Sequence, residues 1–182
     1  MGAIETVETA MLDAARATLG ATVRVFESLG GSWSIDALKR ALQTAPGVYV
    51  AFLGARRGNL EGVVAPTFAV YLVTKAPVEP PRRHGSPRVI GAYEMVERLA
   101  PCMDGLTVPG HCTLKLSSID NLFQQVTFDI GGAVYGLTLG APSLDLVEPI
   151  DPLGLDDFIT FDHQIEVPDG APQPHDSVKL PQ

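Results

Sequence analysis

Apolar and polar positions along this chain follow two periods, and the switches between them mark out its elements. From residue 3 to 19, Ile4, Val7, Met11, Ala14 or Ala15, and Leu19 recur at three- and four-residue steps. That is one stripe of a helix, and Gly20 follows it as a C-cap. Thr22–Phe26 alternates and predicts a short strand. Ser34 can cap a second helix, with Asp36 in its first turn and Ile35, Leu38, Leu42 and Ala45 facing inward, and Pro46-Gly47 stops it. Val48–Leu53 and Phe68–Lys75 are near-continuous runs of β-formers, which predicts strands covered on both faces. The segment between them, Ala55–Pro66, reads as a loop. Ala92, Val96, Leu99, Met103 and Leu106 return to the helical period, with Glu94, Glu97 and Arg98 on the other side. Cys112–Ser117 alternates once more. Gln125–Ile130 and Ala133–Leu139, two alternating runs either side of Gly131-Gly132, predict a β-hairpin.

Buried strands interleaved with amphipathic helices give an α+β fold: a mixed, largely antiparallel sheet packed by two or three helices. Two stretches stand outside it. Ala76–Arg88 holds four prolines with Arg82, Arg83, His84 and Arg88, and is expected to be an irregular segment projecting from the body. From Ser143 onward Pro, Asp and Gly dominate, so the chain divides into a domain over 1–142 and an extended C-terminal arm over 143–182. Charge sharpens that division. Residues 1–143 carry 12 Lys+Arg and 12 Asp+Glu, whereas 144–182 carry 9 acidic residues and only Lys179, the whole net charge of −8. A neutral body is not the basic surface of a general nucleic-acid binder. Within the arm, Ile159, Phe161 and Ile165 share one period-two face, with Phe158 on the other. Asp157–Val167 is therefore expected to dock as an added strand on another subunit or partner. The proline-rich remainder, 168–182, is not expected to fold alone.

Chemistry-bearing patterns are sparse. The glycine pairs Gly30-Gly31 and Gly131-Gly132 lack the Lys-Ser/Thr continuation of a phosphate loop, and no GxSxG elbow occurs. The histidines 84, 111, 163 and 175 make no helical i,i+4 pair. Cys102 and Cys112 read as reduced thiols, and with His111 they form the one reactive set that can be written down. No catalytic residue, cofactor or metal site is assigned. No apolar run approaches a membrane span, and the first residues lack the basic stretch of a secretory signal. Trp33, the single tryptophan, is either a staple against Leu38 or an anchor for a partner. With Arg82, Arg83, Arg88, Phe158, Ile159, Phe161 and Ile165 it makes up the candidate interface set.

In chain order the landmarks are VRVFESLGG, TAPGVYVAFLGA, FAVYLVTK, GAYEMVERLAPCMDGLTV and LFQQVTFDIGGAVYGLTL. This succession, over about residues 4–140, resembles the Mu-like phage tail terminator family. The resemblance implies a structural virion protein, not an enzyme, assembled in the host bacterial cytoplasm. Its copies would close into a homo-oligomeric ring, six being the leading number, that caps the tail tube and joins it to the head–neck connector. DNA would pass through such a ring without sequence-specific contacts. The alternatives are a head–tail connector or adaptor of the same neck region, or a small cysteine-dependent enzyme.

Overall fold

The computed structural model describes residues 2–30, 33, 35–58, 60–76, 81–86, 89–122, 131–146, 160–164 and 175–179. Helix α1 spans Ala3–Leu19 and buries Val7, Met11, Ala15 and Leu19, one side chain per turn. Gly20 ends it at a φ of 53°, with its N–H on the Arg16 carbonyl. The chain then tightens into a 3-10 turn, Gly20–Thr22. Strand β1 therefore begins at Val25 and runs to Ser28, three residues later than the alternation predicts. Helix ends commonly satisfy their last carbonyls by such tightening, and here the turn takes residues the period assigns to strand. Then come α2 (Ile35–Thr44), β2 (Gly47–Arg57), β3 (Val63–Lys75), a single-turn α3 (Pro81–His84) and α4 (Ala92–Met103). Short strands β4 (Thr107–Val108) and β5 (Cys112–Thr113) pair with each other and precede β6 (Lys115–Leu122), β7 (Gly132–Gly140) and β8 (Leu144–Asp145).

One sheet has the order β1-β2-β3-β7-β6, with β8 pairing β3. Only β1 and β2 run parallel; the other pairs are antiparallel, as expected of a mixed, largely antiparallel sheet. Two expectations need correcting. Ala55–Pro66 is mostly strand: Ala55, Arg56 and Arg57 pair with Pro66, Ala65 and Val64, leaving a turn at 58–62. A register shift between Phe52 and Gly54 breaks the alternation there, which is why the period fails to show the strand. Pro66 is tolerated because it lies between the residues of β3 that pair β8 and those that pair β7. Its carbonyl takes the Ala141 N–H at 3.2 Å. The second correction concerns the hairpin. Strand β7 has β3 on one edge and β6 on the other, with Tyr135 opposite both Leu72 and Asn121. Its partner is thus Lys115–Leu122, while residues 125–130 lie outside the described residues. Ser117–Asn121, polar except for Ile119, hides the rest of β6 from a search for apolar alternation, because an edge strand needs no apolar face.

The sheet is covered on both faces, and alternation sorts its residues between the two cores. Val48, Val50, Phe68, Val70, Leu72, Leu137 and Leu139 pack with α1 and with Ala92, Met95, Leu99 and Met103 of α4. Tyr49, Val73 and Val134, one residue out of phase, pack with Leu38, Ala41 and Leu42 of α2. Close approach of α2 requires a bare backbone opposite it. A Cβ built on Gly132 would stand 2.3 Å from the Leu42 Cδ2. Helix α4 buries Met95, where the sequence stripe placed the half-buried Val96, and its outer side carries the Arg98–Glu94 ion pair. The chain divides into two compact units, 1–148 and 149–182, and β8 belongs to the first: Leu144 is buried and pairs with Val64.

In the second unit, β9 (Thr160–Gln164) pairs antiparallel with β10 (His175–Lys179). Phe161 is therefore in a strand, opposite Val178 of the same chain. The strand found within 168–182 is held by its pairing with β9, so it does not stand alone. Asp-Ser-Val within His175–Lys179 is polar enough to pass for linker, yet backbone pairing asks little of side chains.

Candidate assembly surfaces

Strands β1 and β6 end the sheet, and among the described residues neither has a strand on its outer edge. Strand β6 offers the longer edge. Lys115 and the run Ser117–Asn121 are exposed, and a register irregularity separates Leu116 from Ser118. The Ser118 hydroxyl donates to Asp120 Oδ2 at 2.7 Å. Its start is pinned from below: the Asp104 carboxylate, just past α4, takes the Leu116 N–H at 3.0 Å. Two backbone bonds of 2.9 Å, Gly105 N–H to Leu114 O and Leu114 N–H to Leu106 O, complete the tie. The position of β6 is thus fixed by the end of α4. On the opposite side, β1 exposes Glu27 and Ser28, and the Ser28 hydroxyl donates to Glu8 of α1 at 3.0 Å. Phe26 is half-buried under the Arg16 guanidinium, 5.4 Å from its ring centre.

A second surface is the outer end of the β2–β3 hairpin. Leu53, Leu60 and Leu146 are 52%, 70% and 49% exposed there, beside the exposed Arg56 and Arg57. These leucines are three of the five large exposed hydrophobics among the described residues, the others being Val89 and Ile119.

The candidate interface residues are dispersed. Trp33 packs inward, edge-on to Tyr49 and Tyr71 at 5.9 and 5.2 Å, in the cluster that holds Leu38. Burial raises the pKa of both tyrosines; the Thr44 hydroxyl partly offsets this for Tyr49, as the Trp33 indole does for Tyr71. Arg83 also turns to its own body instead of projecting: it is half-buried, with Nη1 donating to the Tyr93 hydroxyl at 3.3 Å. Tyr93 in turn stacks edge-on with His84 and Tyr135, so α3 is held against α4 and β7. Arg82 falls in the α3 turn. Arg88, Phe158, Ile159 and Ile165 lie outside the described residues.

The thiols are free. Cys102 accepts the Thr18 hydroxyl at 3.2 Å across the α1–α4 contact, and burial raises the pKa of Cys112. Among the described residues no group of His, Cys, Asp and Glu is placed to hold a metal ion, and no helix is long and apolar enough to cross a membrane. The larger described cleft, about 550 Å³ and open to solvent, has Arg24 and Glu94 as its charged lining.

Comparison with known proteins decides what these surfaces belong to. The family model described as bacteriophage Mu Gp37 matches residues 3–138. The chain belongs to that family. Over 175 residues it is 28% identical to the probable tail terminator protein of Escherichia phage Mu, covering 93% of this chain and 90% of that protein. Over 167 residues it is 26% identical to the Mu-like prophage FluMu protein gp37 of Haemophilus influenzae, covering 90% and 81%. The likeness thus runs beyond the 4–140 stretch whose landmarks carry the resemblance, into the acidic arm. What the sequence did not reveal as a surface is β6, whose signal is Ile119 standing among the polar residues Ser117, Ser118, Asp120 and Asn121 after the apolar alternation.

Proposed function

We propose that this protein is a structural component of a phage tail: a terminator whose copies close into a ring, with six subunits the leading number. The ring would cap the tail tube and join it to the head–neck connector, with DNA passing through its centre. The observation that carries the reading is the near full-length similarity to the probable tail terminator of phage Mu. The architecture is compatible with it. A cyclic ring of more than two copies needs two different, complementary surfaces on each subunit, and the sheet ends in two unlike edges. The decisive experiment images particles made without this protein. Overlong tubes are expected. Tubes of normal length with empty necks would instead indicate a head–tail connector, and normal virions would overturn both.

A further inference from the structure

The ring reading leaves open which surfaces join one copy to the next, and the following inference rests on it. We propose that β6 of one copy pairs antiparallel with β1 of its neighbour, so that a single sheet continues around the ring. Direction comes first. Strand β1 is parallel to β2, and each later step across β3, β7 and β6 reverses the chain. Two copies placed side by side with the same faces aligned therefore set β6 and β1 antiparallel, the more stable pairing.

Side chains select a register. On the face covered by α1 and α4, Ile119 lies opposite Leu137, and Phe26 lies opposite Val48. Ile119 is 44% exposed, a large hydrophobic with no strand beyond it among the described residues. Setting Ile119 against Phe26 continues the apolar row from one copy into the next. The same register puts Ser118 opposite Glu27 on the other face, with Lys115 diagonal to that carboxylate. It also puts Asn121 opposite Arg24. Ile119 meets Phe26 and the one acid of β1 meets a hydroxyl and an ammonium, while Asp120 falls opposite Val25. Lys115 and the irregularity at Ser117 would otherwise discourage edge pairing, so they restrict β6 to a partner that answers them, which Glu27 does for Lys115. Held by Asp104, the edge is presented without rearrangement.

Two tests use the full chain. In the first, Glu27→Cys and Ser118→Cys are combined and the assembled protein is oxidised with copper–phenanthroline. A ladder of linked species up to the ring number is expected, absent from either single variant. In the second, Lys115→Glu and Glu27→Lys should each lower the ring fraction in native mass spectrometry at least tenfold at low salt, and the double variant should recover it. Circular dichroism checks that each variant folds, as exposed positions should allow. Rings that form normally in all charge variants, with no ladder, would overturn the sheet pairing and leave the ring reading standing. A wild-type protein present as one copy per tail would remove the ring reading itself.

Discussion

Leu42→Ala should loosen one layer of this molecule while sparing the other. Helix α2 is ten residues long, and among its described side chains Leu38, Ala41 and Leu42 are the buried ones that reach the sheet. Leu42 is 2% exposed, and its Cδ2 lies where a side chain on Gly132 would have to be. Nothing at position 132 can swing into the space its truncation leaves, so the cost should fall in the middle of the usual Leu→Ala range, about 3–4 kcal/mol. At a typical urea slope of about 2 kcal/mol per molar, that lowers the unfolding midpoint by roughly 1.5–2 M. Trp33 makes the assay local, because it is the only tryptophan and lies in the α2 cluster. Its fluorescence should change at lower urea than the far-ultraviolet circular dichroism, which follows the whole body. The same geometry predicts coupling. Gly132→Ala alone should destabilise, because the new methyl meets Leu42, whereas in the Leu42→Ala background it should be neutral or stabilising. A coupling energy of about 1 kcal/mol or more is expected. Strictly additive effects, or a Leu42→Ala midpoint shift under about 0.5 M, would refute this account of how α2 is held.

Four further outcomes follow from the contacts above. Gly91→Ala should abolish stable folding, since its Cβ would lie 2.1 Å from the Gly85 nitrogen and 2.5 Å from the Arg83 carbonyl oxygen, both backbone; soluble expression with a melting temperature near wild type would count against it. The raised pKa values of Tyr49 and Tyr71 mean that their contribution to stability is whole below the ordinary value of 10.0 and is lost as pH climbs through the folded values. Thermal melts should therefore hold up to that pH and fall above it, and Tyr49→Phe should lessen the fall. Cys112 should react with a disulfide reagent more slowly than a free thiol at neutral pH, and its rate should still be rising above pH 9.0. A chain ending at Glu148 should fold with the melting temperature of the full protein, because 1–148 is a unit of its own; a loss of more than about 5 °C would show that the second unit supports the first.

Legibility in the sequence followed burial. Helix α1 could be bounded to the residue, because its stripe is regular and Gly20 closes it. Phe68–Lys75 declared itself as a strand by being apolar on both faces and Ala133–Leu139 by its alternation, and each flanks the other in the sheet. Strand β6 beyond Ser117 and the outer halves of β2 and β3 did not: the first two are largely exposed and carry little hydrophobic alternation, and in β3 Pro66 argues against a strand. Trp33 was legible in part. The staple reading placed it with Leu38, whose cluster it joins, but could not name Tyr49 and Tyr71, which lie 16 and 38 positions further along and pack edge-on to the ring. The ends of the sheet were the least legible feature, because an open edge is a matter of which backbone groups lack a neighbour, and side-chain periodicity is silent on that.

The hairpin end beyond Gly54 has a use that its solvation makes possible. Three residue pairs past Gly54, at about 3.3 Å per residue, carry the tip of the hairpin roughly 10 Å outward, and there Leu60 touches little of the body. Chain inserted at that tip lengthens a loop whose closure costs only about 0.6 kcal/mol per doubling. It displaces no residue from either core. A short affinity tag or a fluorophore-binding peptide could therefore be spliced in beside Leu60, giving a visible handle on each copy in an assembled tail while both sheet edges stay free.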